Sequence, residues 1–215
     1  GGSMGIDSEM IGEDFTPDPI SLLESNRNLG YSIEEAISDL IDNSITANAT
    51  EIIYEMHWND SEPFFFLKDN GEGMSNKENE LINSFRLGSK NPLDDRDPND
   101  LGRFGFGMKT ASLSQARVLT VTSKKEDQIL SRSLDLNFIA ELNQGWKLKL
   151  VEEVDIQKEL DYLSELESGT VIRWDNWDRA PKMKDDFMSL VSQINDYISV
   201  CFHRFIEKGI KISCH

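Results

Sequence analysis

The sequence predicts a single domain that combines α-helices with β-strands, and three observations lead to this prediction. Several segments carry apolar residues at the three-and-four spacing of an amphipathic helix, most clearly residues 32–49 and 183–207. Other segments, such as 51–58 and 63–68, are short apolar or alternating runs bounded by turn residues, which is typical of strands. Neither an internal repeat nor a linker interrupts the 215 residues, so we expect one fold over nearly the whole chain.

Composition and charge narrow the class of protein. The chain is 38% hydrophobic and 28% charged, as is typical of a soluble globular domain, and it has no apolar run long enough to cross a bilayer. Its net charge of −17 disfavours non-specific binding of nucleic acid through this domain. The two cysteines, Cys201 and Cys214, have neither metal-ligand spacing nor the pattern of a disulfide framework, so we expect a reducing, cytoplasmic location.

The N-terminal region precedes the first helix. Residues 1–4 (GGSM) are expected to be a cloning remnant, and residues 5–16 are polar and acidic without any period, which predicts a flexible arm. Pro17 and Pro19 open a helix that we predict over 20–28. The domain is therefore expected to occupy residues 17–215.

The next helix begins with Ser32 and Glu35, a capping-box pair. Its apolar stripe consists of Ile33, Ala36, Ile37, Leu40 and Ile41. A second capping box, Ser75 with Glu78, predicts a helix that ends near Phe85. Further helices are predicted after residue 109 and over 155–167 and 183–207, and further strands over 117–123, 129–136, 146–151, 169–174 and 210–213.

The helix over 32–49 carries more short polar residues than a helix usually does, among them Asp39, Asp42, Asn43 and Ser44. Asp39 and Asn43 are four residues apart and project from one side of the helix. A carboxylate and an amide oxygen in this arrangement can hold a water molecule and a divalent cation close together. The alternative interpretation is a solvated helix face.

Two glycine-rich segments follow. DNGEGM (69–74) ends the strand over 63–68, and its glycines allow positive φ and a close approach of the backbone to a ligand. LGRFGFGMK (101–109) opens a helix and is reached through a long polar loop, 86–100. Backbone N–H groups at such a helix start can bind phosphate, with Arg103 and Lys109 adding positive charge. The pattern matches neither a P-loop nor the dinucleotide fingerprint.

Taken in order, these segments resemble the GHKL ATPase superfamily, named for gyrase, heat-shock chaperone, histidine kinase and mismatch-repair ATPases. DLIDNS (39–44) is similar to its first motif, DNGEGM to its second and LGRFGFGMK to its third. Gly169 and Thr170, at the start of a strand, resemble the fourth. FRLGSK (85–90) together with GFGMK is most similar to the MORC ATPases, with the mismatch-repair type next.

The resemblance implies an α+β fold of the Bergerat type. This is a two-layer α/β sandwich in which helices cover one face of a mixed, mostly antiparallel sheet, with a long ATP lid. It also implies the ligands ATP and Mg²⁺. Asp69 would accept a hydrogen bond from the adenine amino group, Gly73 and Met74 would lie against the purine, and Thr170 would support the same edge. Asn43 would bind Mg²⁺.

The remaining implied nucleotide contacts lie mostly around the lid. Backbone amides of residues 103–108 would hold the β- and γ-phosphates, and Lys90 would contact the γ-phosphate. The full set of these further nucleotide-binding residues is Ala47, Gly88, Lys90, Gly102, Arg103, Phe104, Gly105, Phe106, Gly107, Met108 and Lys109.

The first motif departs from the family at Asp39, where Glu usually orients and deprotonates the attacking water. Asp is one methylene shorter, and a displacement of about 1 Å can cost roughly 10²-fold in rate. Our hypothesis is that Asp39 is the catalytic base and that turnover is slow. Glu35, one turn earlier, is interpreted as a capping residue.

The favoured function is Mg-dependent ATP binding and slow hydrolysis by a conformational switch that dimerises with ATP within a longer protein. Relatives continue into a second domain that supplies a lysine to the γ-phosphate, and we expect that domain to be missing here. One alternative is an ATP sensor that does not hydrolyse. Another is histidine-kinase-type phosphotransfer, for which His57, His203 and His215 lie in no suitable setting. The process driven stays open, with DNA handling, chromatin-like compaction, chaperoning and phage defence as possibilities by analogy.

Overall fold

The structure is a computed structural model that describes residues 12–13, 15–28, 30–85 and 106–215, with only the backbone of residues 106 and 107. The helices are α1 (Pro19–Asn26), α2 (Ile33–Thr46), α3 (Glu80–Ser84), α4 (Phe106–Gln115), α5 (Leu136–Leu142), α6 (Gln157–Ser164), α7 (Lys184–Cys201) and α8 (His203–Glu207). The strands are β1 (Glu51–His57), β2 (Phe64–Asp69), β3 (Val118–Lys125), β4 (Gln128–Asp135), β5 (Lys149–Leu150), β6 (Gly169–Asp175) and β7 (Lys211–Cys214).

The seven strands form one sheet in the order β5-β4-β3-β6-β2-β1-β7. Every neighbouring pair is antiparallel except β1 with β7, which is parallel. The sheet is therefore mixed and mostly antiparallel, which confirms the predicted fold class. In the central strands, Asp69 at the end of β2 lies opposite Thr170 at the start of β6, so two predicted site residues meet at the same end of the sheet.

The alternation of side chains along β2 separates two hydrophobic clusters. Phe65 packs on Trp174, with ring centroids 4.2 Å apart, in the main core beneath α1, α2, α4 and α7. Phe66 points to the other face and packs with Val171 and Leu163 of α6. Helices thus cover one face as predicted. In addition, α6 covers part of the second face.

The first predicted capping box is present in part, and the second is wrong. The Ser32 hydroxyl accepts a hydrogen bond from the backbone N–H of Glu35 at 3.1 Å. Glu78, by contrast, has φ 52° within a 3₁₀ turn (Lys77–Asn79), and α3 starts only at Glu80. The Ser75 hydroxyl instead donates to the Glu80 carboxylate at 3.0 Å, because Lys125 holds that carboxylate in place through an ion pair from β3.

Two other predicted elements differ from the structure, and one helix was not predicted. The long C-terminal helix is interrupted at Phe202, whose buried side chain lies in the core and whose backbone leaves helical geometry between α7 and α8. The strand predicted over 146–151 shrinks to the two residues of β5. Helix α5 was not predicted, and it begins because the Asp135 side chain caps the N–H groups of Asn137 and Phe138. The loop predicted over 86–100 lies outside the described residues.

Candidate functional site

Residues from separate sequence motifs enclose one pocket where the C-terminal half of α2 faces the ends of β2 and β6. Its volume is about 120 Å³ as bounded by the described residues. The predicted site residues that line it are Asn43, Ala47, Asp69, Gly73, Met74, Met108 and Thr170. Residues not predicted also line it, namely Leu40, Ser44, Glu72, Glu80, Ser84, Lys125 and Ile172. The fold therefore brings residues from all four motifs to one pocket.

Asp69 is a buried hydrogen-bond acceptor at the floor of this pocket. Its side chain is 4% exposed. One carboxylate oxygen accepts from the Ser44 hydroxyl at 2.7 Å and the other from the Gly71 backbone N–H at 2.9 Å. Burial raises the pKa of Asp69 to about 6, although these two donors and the backbone amide of Thr170 act in the opposite direction. A carboxylate in such a site discriminates strongly between a ligand that offers a donor and one that does not.

The glycines after Asp69 are required by contacts within the protein. A Cβ on Gly71 would lie 2.8 Å from the carbonyl oxygen of Ala47, and the next residue, Glu72, donates its N–H to that carbonyl at 2.9 Å. Gly73 has φ +71°, and a Cβ there would lie 2.0 Å from the Lys124 carbonyl oxygen. The loop is therefore wedged between the C-terminus of α2 and the end of β3, and only glycine fits at these two positions.

The same loop is also held by the segment that joins α6 to β6. The Ser168 hydroxyl donates to the Gly71 carbonyl at 2.6 Å. The Lys124 ammonium donates to the carbonyls of Leu163 and Leu166 at 3.3 and 2.7 Å, and so caps the C-terminus of α6. Lys124 of β3 thus contacts Gly73 of the pocket loop through its carbonyl and the C-terminus of α6 through its side chain.

A buried hydroxyl that sequence reasoning missed lies next to Thr170. Ser123 of β3 is 0% exposed and faces Thr170 across the β3–β6 pair, with their hydroxyl oxygens 2.8 Å apart. Its oxygen also accepts from the Met74 backbone N–H at 2.7 Å and lies 3.0 Å from the Gly169 carbonyl oxygen. The sequence carried no signal for Ser123, because its role depends on the register of strands distant in the chain.

Asn43 and Asp39 occupy successive turns of α2. Asn43 lines the pocket, whereas Asp39 lies one turn nearer the helix start and accepts a hydrogen bond from the Tyr31 hydroxyl. Burial, with a further contribution from the charge of Asp39, raises the pKa of Asp42 to about 6. Tyr31 was not predicted as a site residue. It precedes the helix, where nothing in the sequence relates it to Asp39.

The structure does not bring Lys109 into the pocket. Its ammonium, 1% exposed, donates to the Phe85 carbonyl at 2.5 Å and borders a separate, mostly apolar cavity of about 470 Å³. Burial lowers the pKa of Lys109 to about 7. The predicted site residues Gly88, Lys90, Gly102, Arg103, Phe104 and Gly105 lie outside the described residues. Phe106 and Gly107 contribute the first turn of α4.

A mostly antiparallel sheet, with a pocket between a polar helix and a buried carboxylate at a strand end, is the architecture of a nucleotide-binding ATPase domain. Residues 31–170 match the family model described as histidine kinase-, DNA gyrase B- and HSP90-like ATPase. The match covers more than half of the chain, so the protein belongs to this family, whose general activity is ATP binding and hydrolysis. A search of curated proteins found no match. Within the ranges that the structure describes, no helix combines the length and apolarity needed to span a membrane.

Proposed function

We propose that this domain binds Mg·ATP in the pocket below α2, hydrolyses it slowly with Asp39 as base, and acts as a nucleotide-driven switch in a larger protein. The observation that carries this proposal is the buried, hydrogen-bonded carboxylate of Asp69 opposite Thr170, in a chain of an ATPase family. Burial of this carboxylate costs free energy that its hydrogen bonds from Ser44 and Gly71 offset only in part, since the pKa of Asp69 is still raised, and such a group is typical of a ligand-binding site.

Purine recognition would depend on the two facing strand ends. Asp69 accepts a hydrogen bond from the exocyclic amino group of adenine, and Thr170 supports the same edge directly or through water. Gly73 and Met74 lie against the ring. Because the pocket excludes solvent from Asp69, a base without this donor would leave the carboxylate partly unpaired, and binding would weaken accordingly.

The residues of α2 fit a magnesium ion bound together with the nucleotide. Asn43 offers an amide oxygen at the pocket wall. Among the described residues no three His, Cys, Asp or Glu side chains cluster as a protein cage for a metal. This donor set suits Mg²⁺, which keeps several waters and takes one or two protein oxygens plus phosphates. When bound, the ion would neutralise phosphate charge. Backbone amides of 103–108 and Lys90 would complete the phosphate site.

Replacing Asn43 with Ala tests this role. The affinity for ATP in excess Mg²⁺ is expected to fall about tenfold, since one charge-assisted contact is lost. With a chelator present, wild type and variant should bind ATP equally. Titration calorimetry in both buffers measures the difference, and an equal loss in the two buffers would remove Asn43 from the metal site.

The base would be Asp39, which Tyr31 holds in one orientation. The Tyr31 hydroxyl donates to a carboxylate oxygen of Asp39 and so orients the carboxylate that would accept the proton of the attacking water. The short side chain places that carboxylate farther from the phosphates than Glu would, and this is our reason for expecting slow turnover.

Replacing Asp39 with Asn is expected to reduce phosphate release roughly 10²-fold, because an amide cannot accept the proton. ATP affinity should change less than about threefold, since the purine contacts lie elsewhere. Asp42→Asn, on the same helix, is the matched control and should retain hydrolysis. Equal phosphate release by Asp39→Asn and wild type would disprove the assignment.

A non-hydrolysing ATP sensor is the second candidate function. The hydrogen bond from Tyr31 favours this candidate, because it occupies an oxygen of Asp39 that a catalytic base would use. Wild-type protein that binds ATP without releasing phosphate would support this candidate. The MORC-like subtype and the ATP-dependent dimer are part of the same proposal. Sedimentation of the full-length protein with and without a non-hydrolysable ATP analogue tests the dimer.

A further inference from the structure

Three strands place polar side chains in one row across the end of the sheet. Asp69 of β2 is paired with Thr170 of β6, and Thr170 is paired in turn with Ser123 of β3. All three side chains are buried, and Ser123 is 0% exposed. Asp69 and Thr170 line the pocket, whereas Ser123 lies behind Thr170. Since water does not reach Ser123, its hydrogen bonds must be satisfied by its protein neighbours.

The partners of Ser123 determine which way its hydrogen points. The Met74 backbone N–H can only donate to it, and the Gly169 carbonyl can only accept from it. If Ser123 gave its single hydrogen to Thr170, its oxygen would face the Gly169 carbonyl oxygen at 3.0 Å with no hydrogen between them. Two buried acceptors in that position repel each other.

The arrangement that satisfies every group is therefore the other one. Ser123 donates to Gly169 and accepts from both Met74 and Thr170, which uses its full hydrogen-bonding capacity. The hydrogen in the 2.8 Å contact between the two hydroxyls then belongs to Thr170. With its hydrogen directed away from the pocket, Thr170 presents only lone pairs to a ligand.

We propose that Ser123 is a positioning residue that fixes the Thr170 hydroxyl as a hydrogen-bond acceptor toward the pocket, and thereby selects amino purines over oxo purines. This inference rests on the proposed function. Next to the Asp69 carboxylate, Thr170 becomes a second acceptor, so the pocket edge matches an exocyclic amino group, which has two hydrogens. An oxo group would bring a third acceptor to the same edge and find no donor.

The test compares ATP with inosine triphosphate, in which an oxo group replaces the amino group. Wild-type protein should bind ATP the more tightly. In Ser123→Ala the Thr170 hydroxyl is free to rotate and donate, so the preference for ATP is expected to fall about tenfold, the worth of one buried hydrogen bond. Loss of the acceptor for the Met74 N–H should lower both affinities equally. The ratio of the dissociation constant of inosine triphosphate to that of ATP therefore isolates the effect on selectivity.

A matched control and a double mutant separate this role from a structural one. Ser131→Ala removes a similarly buried hydroxyl, which is paired with Thr122 in the β3–β4 pair, and it should leave the ratio unchanged. Thr170→Val should lower the ratio by itself. In that background, Ser123→Ala should have no further effect on it, a coupling that a general loss of packing would not produce.

Each outcome has a single meaning. An unchanged ratio in Ser123→Ala, with or without weaker ATP binding, would overturn the role of Ser123 and leave the proposed function intact. Additive effects in the double mutant would overturn it too. If wild-type protein bound neither nucleotide, the proposed function itself would fail. Should Ser123→Ala not fold, which thermal melting would reveal, Ser123→Cys decides instead, because its sulfur is a weak acceptor for the Thr170 hydrogen. The ratio should still fall in that variant, and an unchanged ratio would overturn the role of Ser123.

Discussion

Replacing Asp69 with Asn is expected to weaken ATP binding at least about 10²-fold while the domain stays folded. The amide can still accept from Gly71 with its oxygen and donate to the Ser44 oxygen with its nitrogen, so the internal hydrogen bonds survive. The NH₂ group of the new amide would face the amino group of adenine, and two hydrogen-bond donors cannot pair. Titration calorimetry measures the loss, and thermal melting confirms the fold. A variant that binds ATP as wild type does would remove Asp69 from the purine site.

Burial of Asp69 also determines how the stability and the ATP affinity of the wild type, compared with Asp69→Asn, depend on pH. Because the pKa of Asp69 is raised to about 6, the native state binds this proton more tightly than the unfolded chain. Without ligand, stability relative to Asp69→Asn should therefore rise as the pH falls from 7 to about 4, by at most about 3 kcal/mol. ATP affinity should fall over the upper part of that range, as the acceptor becomes protonated. Affinity that is constant from pH 7 to 5 would contradict this.

Replacing Gly73 with Ala is expected to destabilise the domain by more than about 3 kcal/mol. The new Cβ would lie 2.0 Å from the Lys124 carbonyl oxygen, a backbone atom of β3 that cannot move aside without disturbing the sheet. The positive φ adds strain to any residue other than glycine. Urea denaturation at neutral pH measures the change in the free energy of unfolding.

Gly145 provides the matched control for this substitution. It has φ +83°, but no heavy atom lies within 4 Å of the position of a Cβ. Gly145→Ala therefore carries the conformational strain without the clash and should cost only about 1–2 kcal/mol. Equal losses in the two variants would mean that the Lys124 carbonyl of β3 does not restrict the pocket loop at Gly73.

Local patterns were sufficient to predict most elements of the fold. The apolar residues of α2 recur at helical spacing, and the apolar segments of β1 and β2 are typical of strands. In the structure these segments form the predicted helix and strands. The second capping box failed because the Glu80 carboxylate, held by Lys125 from β3, engages Ser75. The break at Phe202 likewise follows from burial against the core, which the helical period of residues 183–207 does not reveal.

The candidate site was predictable only where its residues belong to motifs. Asp69, Asn43 and Thr170 were identified in this way, and the structure places them around one pocket. The sequence did not point to Ser123 and Tyr31, because strand register and the path of the chain into α2 bring them into hydrogen-bond contact with Thr170 and Asp39. Such pairings are properties of the folded chain, and no spacing in the sequence encodes them.

Hydrogen bonds tie the pocket loop to the segment between α6 and β6, and tie the neighbouring Lys124 to the C-terminus of α6. Movement of Gly71 would break its bond from Ser168, and movement of Lys124 would uncap α6. The floor of the pocket is thus supported by groups on the opposite face of the sheet. We therefore expect the wall formed by α2 to adjust to a bound nucleotide more readily than this floor does.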